Sequence, residues 1–271
     1  MIGYRPVQWI KIITEAIPPM VGSGTRTDSV NAREATFGRS VRLFRAFLKE
    51  QSDPDHFYQV LATDSVRQIS GYTPLTDRLI LDVGGGPGYF ADSFRGAGAR
   101  YFGIDPDVGE LSARGEPADG MVRASGTELP VQSDSVDICY SSNVLEHVAE
   151  PATMLAEMVR VTRPGGTVFA SFTPWFSPWG GHETAPWHFL GGHYARRRFI
   201  RQNGHEPKNR FGESLFAFRV GTAIRWARHC EQARIVRVLP RYHPWWATWI
   251  VHVPILREFA SWNLVLVLRK L

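Results

Sequence analysis

The segment Leu81-Asp82-Val83-Gly84-Gly85-Gly86-Pro87-Gly88-Tyr89-Phe90 constrains this chain most. Glycines at 84, 85, 86 and 88 follow directly on a short apolar run from Arg78 to Val83. They permit a tight turn out of a buried strand and let a ligand approach bare backbone at the next helix start. The pattern then repeats. Residues 99–105, 120–125, 136–142 and 166–172 read as further strands. Between them Tyr89 to Gly96 and Ala152 to Thr162 have helical spacing, the second stopped by Arg163-Pro164-Gly165-Gly166. Residues 234–239 and 262–269 read as closing strands. Helices are predicted over Asn31 to Glu50, from Asp53-Pro54 through Ile69, over Tyr194 to Asn203 and over Thr222 to Cys230. Such alternation predicts an α/β fold, a Rossmann-like, doubly wound sheet of seven mostly parallel strands with N-terminal helices.

The length of 271 residues and a 44% hydrophobic content fit one large domain and exclude a disordered chain. Residues 1–30 are expected to be an N-terminal segment and linker, with Pro, Gly, Ser and Thr crowded into 18–30. Residues 31–271 would form the domain, divided into a cofactor half, 75–172, and an aromatic-rich acceptor cap, 173–271. Of nine tryptophans only Trp9 precedes Trp175. A net charge of +5 suits an anionic partner without choosing one. Cys139 and Cys230 make no disulfide framework. The first twenty residues lack an uninterrupted apolar stretch with a cleavage site, and Trp245 to Val253 is too short to span a bilayer. The expected location is cytoplasmic, with contact at the inner membrane face left open.

The glycine bend is not a dinucleotide fingerprint, because the third glycine would fall at Tyr89 and stands instead at Gly88. Without a following Gly-Lys-Ser/Thr it is not a P-loop either. Downstream, Gly103-Ile104-Asp105 ends the second strand with a carboxylate able to accept both hydroxyls of a ribose. Ser125, Gly126 and Thr127 form a polar turn where an adenine edge would lie. The fourth strand carries Asp137 near its start and runs out into Ser141-Ser142-Asn143.

In that order, DVGGGPG, GID, SGTELPVQSDSVDICYSSNVLEHV and VTRPGGTV resemble the class I S-adenosylmethionine-dependent methyltransferases. More narrowly, the chain resembles a little-characterised mycobacterial group of methyltransferases, from the N-terminal helices to the closing NLVLVL. The resemblance implies S-adenosylmethionine as cofactor. Asp82 with Gly84, Gly85, Gly86 and Gly88 would hold its methionine end and Asp105 its ribose. Ser125, Gly126 and Thr127 would line the adenine pocket, with Asn143 beside the cofactor. Many relatives carry Asp where Ser125 stands.

On the acceptor side, His147 is the leading candidate for a general base, with Glu146 its neighbour. The competing reading is that His147 caps the next helix or anchors its loop. His182 and Glu183 follow Gly180-Gly181, with His188 and His193 downstream, and suggest a lid over the acceptor. HExxH spacing fails at Pro186, so no metal is expected. Arg196, Arg197, Arg198 and Arg201 read either as a solvated helix face or as an anion site. Trp245, Trp246, Trp249, Val253, Ile255, Leu256 and Phe259 read as core, as a dimer face or as a membrane contact.

The function expected is O-methylation of a small molecule, glycan or glycolipid. Alternatives are an RNA or protein methyltransferase, a catalytically silent cofactor-binding scaffold and, more remotely, a nicotinamide dehydrogenase. Ser-Ser-Asn-Val in place of Asn/Asp-Pro-Pro-Tyr, and the lack of a Pro-Cys nucleophile, argue against nucleic acid as acceptor. Acceptor identity and oligomeric state stay open.

Overall fold

The apolar run before the glycine bend forms β1 (Leu79–Val83), every residue of which is buried. The computed structural model describes residues 35–49 and 52–271, so the predicted linker 18–30 lies outside the described residues. In chain order the elements are α1 (Phe37–Phe47), α2 (Pro54–Ser70), β1, α3 (Ala91–Gly96), β2 (Arg100–Asp105), α4 (Val108–Leu111), β3 (Met121–Arg123), β4 (Val136–Ser142), α5 (Pro151–Val161) and β5 (Thr162–Phe172). The second half adds α6 (Gly192–Asn203), α7 (Val220–His229), β6 (Ala233–Pro240), α8 (Leu256–Ala260) and β7 (Leu264–Lys270).

The strands form one seven-stranded sheet in the order β3-β2-β1-β4-β5-β7-β6. β7 runs antiparallel to both neighbours, and the pairings among β1 to β5 are parallel. The sequence-predicted Rossmann-like architecture is the one observed. Because strand side chains alternate between faces, Ile138 and Tyr140 of β4 join Leu43, Phe57 and Leu61 of α1 and α2 on one side. Cys139 faces Leu155 and Met158 of α5 on the other. Burial on both faces explains why these strands read as nearly unbroken apolar runs.

The α5–β5 junction differs from expectation. The strand begins at Thr162, not at Gly166, because Thr162 already pairs with Val136. Asp137 sits beside this corner, accepting from the Leu79 amide at 2.8 Å and pairing with Arg78 and Arg163. It serves the N-terminal edge of the sheet. The opposite edge, at the strand order reversal between β1 and β4, is where open α/β sheets take ligands.

After β5 the chain builds a cap with short 3₁₀ turns at His182–Thr184 and Trp187–Leu190, ahead of α6. Its tryptophans divide into two groups. Trp179 packs edge-on to Phe47 and Trp262, joining the cap to α1, and Trp175 lies 4.7 Å from Phe211. Trp245, Trp246 and Trp249 lie in a 3₁₀ segment, Trp245–His252, and each is more than half exposed. Only Ala247 and Val251 of that segment are buried, so it is not core.

Candidate functional site

Four strand ends deliver the predicted cofactor residues to one edge. The Gly84 amide donates to the Ile104 carbonyl at 2.7 Å and that of Gly85 to the same oxygen at 3.2 Å, which folds the bend over the tip of β2. Gly84 has φ +80°, and a Cβ there would stand 2.3 Å from a Val144 methyl, so the bend also meets the chain leaving β4. The Gly88 amide closes the turn on the Gly85 carbonyl at 3.0 Å. Gly86, with φ +53°, differs from its neighbours: a Cβ there would touch nothing within 4 Å, so its backbone faces open space.

Asp105 lies across from this opening. Its Oδ2 accepts from the Gly86 amide at 3.0 Å and its Oδ1 from the Asp107 amide at 2.9 Å. Each oxygen keeps a further lone pair, enough for two more donors. Burial raises its pKa and the two amides pull it back down. Ser125 and Thr127 share a 2.8 Å hydroxyl contact in a turn packed on β1, where a Cβ on Gly126 would come 2.9 Å from Val83. Asn143 has φ +59°, donates its amide to Ser171 and accepts on Oδ1 from Asn263 at 2.7 Å. Gly86, Asp105, the Ser125–Thr127 turn and Asn143 thus lie along one edge of the sheet.

Asp82 is fully enclosed, and Tyr101 donates its hydroxyl to the carboxyl at 2.6 Å. Sequence reading missed Tyr101, whose alternation in β2 marks it only as core. Burial pushes the Asp82 pKa from 3.8 to about 7, against the pull of that hydrogen bond and with some help from Asp105. The carboxyl holds its proton in the fold at a pH where an unfolded chain has lost it. Stability therefore falls as pH rises from about 4 to about 7, by about 4 kcal/mol at one pKa unit per 1.36 kcal/mol. Asp82→Asn removes this penalty. We expect the variant to gain stability over wild type at pH 8 and to match it near pH 4 in urea unfolding. A difference that does not change with pH would refute the buried-acid account.

Beyond the end of β4, two segments far apart in sequence meet. Leu145–His147 forms a 3₁₀ turn just past β4. The buried Glu146 accepts the Thr173 amide on Oε1 at 2.9 Å and leaves Oε2 without a hydrogen-bond partner. Burial raises its pKa, and the adjacent His147 opposes the rise. Since a carbonyl can only accept, His147 donates from Nδ1 to Ser214 O at 2.7 Å, leaving its Nε2 with a lone pair.

The His182 ring stands 5.1 Å from that of His147. Burial, with a lesser contribution from His147, lowers its pKa to about 3, so it is a neutral imidazole. Its φ of +47° is unusual for a residue other than glycine. Glu183 points elsewhere, accepting from Asn209 at 2.9 Å. His188 is buried and bonded to Ser177 O, and His193 packs edge-on against Phe211, so both belong to the cap's packing. Ser214 acts through its main-chain oxygen, which no sequence pattern could have flagged.

The arginine cluster does not remain a bare basic face. Arg196 pairs with Glu206 and Glu213 at 2.8 Å, and the Arg198 guanidinium lies 3.9 Å over the Trp187 ring. Among the described residues no helix is long and apolar enough to cross a membrane.

Comparison with known proteins gives a consistent result. The methyltransferase domain family matches residues 81–170. An uncharacterized methyltransferase of Mycolicibacterium gilvum is 49% identical over 248 residues, covering 88% of this chain and 96% of that protein. One from Mycobacterium avium is 50% identical over 248 residues, covering 88% and 97%. A solved Listeria monocytogenes chain assigned to the S-adenosylmethionine-dependent methyltransferases superposes with a TM-score of 0.50 at 14% identity, covering 78% of this chain and 99% of that one. That last likeness concerns the fold.

Proposed function

The chain belongs to the methyltransferase family of its mycobacterial relatives and takes S-adenosylmethionine as cofactor, and from that membership we propose that it methylates a hydroxyl oxygen on a glycan, glycolipid or related amphiphilic small molecule. When bound, S-adenosylmethionine supplies a sulfonium methyl activated for displacement by an acceptor lone pair. Residues 75–172 serve the cofactor and also supply His147 to the acceptor, and residues 173–271 form the rest of the acceptor side. In this reading the bend Gly84–Gly88, with the enclosed Asp82 packed against Gly85, holds the methionine end, Asp105 the ribose, and Ser125, Gly126 and Thr127 the adenine, with Asn143 beside them. The open space over Gly86 and the spare lone pairs of Asp105 support that fit.

The observation carrying the acceptor assignment is the His147 Nε2 lone pair. An alcohol must lose its proton as the new C–O bond forms, and a positioned base accelerates this by about 10²–10⁴. His147 is held in the accepting tautomer by Ser214 O and lies on the loop leaving β4, whose Val144 touches the glycine bend. Holding donor and acceptor in line supplies roughly 7–11 kcal/mol more.

An amphiphilic acceptor is favoured by the exposed apolar surface of the cap. Phe189 and Leu190 lie in the same cap as His182, and Phe189 is 6.2 Å from Phe259, next to exposed Ile255 and Leu256. With Trp245, Trp246 and Trp249 these residues suit contact with an apolar tail or with the inner face of a membrane. In this reading the protein works in the cytoplasm, peripheral to that surface. The test is transfer of labelled methyl from S-adenosylmethionine into lipid, glycan and RNA fractions of a mycobacterial lysate. Label is expected in the lipid or glycan fraction, and label confined to RNA would overturn the acceptor assignment.

A further inference from the structure

We propose that Glu146, His147 and His182 bind one divalent transition-metal ion at the acceptor side of the cleft. This rests on the methyltransferase reading only for the ion's role, not for its binding. The three side chains each offer a ligand atom, and these atoms lie within 4.8 Å of one another. Two ligands about 2.1 Å from a common ion can be at most about 4.2 Å apart. Three ligands around one tetrahedral ion stand only about 3.4 Å apart, so the set closes by up to about 1.4 Å, within reach of side-chain rotation about χ1 and χ2.

Three further observations point the same way. Glu146 Oε2 and His182 Nε2 are buried atoms without hydrogen-bond partners, and such atoms are costly unless something satisfies them. His147 donates its Nδ1 proton to a backbone carbonyl, the outer-shell arrangement that fixes a metal-binding imidazole with its other nitrogen facing the ion. His182 holds its place with a left-handed backbone, φ +47°, which costs about 1–3 kcal/mol and persists only where its surroundings enforce it.

The donor set decides the class of ion. Two imidazoles and one carboxylate suit zinc, iron, cobalt or nickel and not magnesium or calcium, which prefer oxygen. The HE pair in the cap carried no metal-binding spacing, because its partners are on the loop after β4. Three protein ligands leave coordination positions for the acceptor oxygen. An ion there lowers the pKa of a bound hydroxyl as it does that of water, the proton leaving to solvent. With the ion bound, His147 is its ligand; without it, His147 takes the proton itself.

The test is titration of the metal-stripped full chain with Co²⁺, followed by its visible d–d absorption, alongside calorimetry with S-adenosylmethionine. We expect one Co²⁺ per chain. His182→Ala and, separately, Glu146→Gln should weaken Co²⁺ binding by about 100-fold, the upper end of what outer-shell changes cost, with circular dichroism unchanged. His193→Ala, away from the cluster, should leave it intact. Failure of the wild type to take up stoichiometric Co²⁺, or equal uptake by both ligand variants, would overturn the site. Lost S-adenosylmethionine binding with Co²⁺ uptake retained would count against the methyltransferase reading instead.

Discussion

Replacing Asp105 with alanine is expected to weaken S-adenosylmethionine binding by at least about 100-fold in calorimetry. Hydrogen bonds to a charged acceptor contribute about 1.5–3 kcal/mol each, and two ribose hydroxyls would lose theirs together. The loss is compounded because Gly86 and Asp107 donate their amides to the same carboxylate. Removing it leaves the tip of the bend less ordered before any ligand arrives. Asp105→Asn keeps one acceptor oxygen and should fall between the wild type and the alanine variant. An unchanged dissociation constant for Asp105→Ala would mean that the nucleoside lies elsewhere.

His147→Ala should separate binding from turnover. Cofactor affinity is expected to hold while the methyl-transfer rate falls by about 10²–10⁴, the range for a lost general base. The Nε2 atom is lost whether it takes a proton or holds an ion, so the rescue is informative. Recovery with added imidazole marks the proton-accepting role, and recovery with excess Co²⁺ alone marks the ligand role. A variant with undiminished transfer would remove His147 from the chemistry and return it to the structural part that its Ser214 bond already suggests.

How far the sequence reaches depends on the range of the interaction. β1 and β4 were legible because both of their faces are buried, so they read as mostly apolar runs. The glycine bend was legible because left-handed turns at Gly84, Gly86 and Gly88 demand glycine. The start of β5 was misplaced by four residues, since Pro164 and Gly165 are poor strand formers locally and only pairing beside Val136 holds the segment extended. The arginine run of α6 read either as a solvated face or as an anion site, and in the fold Glu206 and Glu213 pair with Arg196. The late tryptophans left core, interface and membrane contact open, and exposure removes core.

By itself the sequence determined the sheet, the glycine bend and the carboxylate at the tip of β2, because strand period, turn chemistry and a carboxylate at a strand tip are local properties written in consecutive positions. Only the tertiary structure decided which groups meet beyond the end of β4. It brought His182 in the cap to the Glu146-His147 pair and set the His147 tautomer through a carbonyl 67 residues away. A backbone oxygen has no side-chain identity, and a cap closes by packing that no local periodicity encodes. That half of the site exists only once the chain has folded.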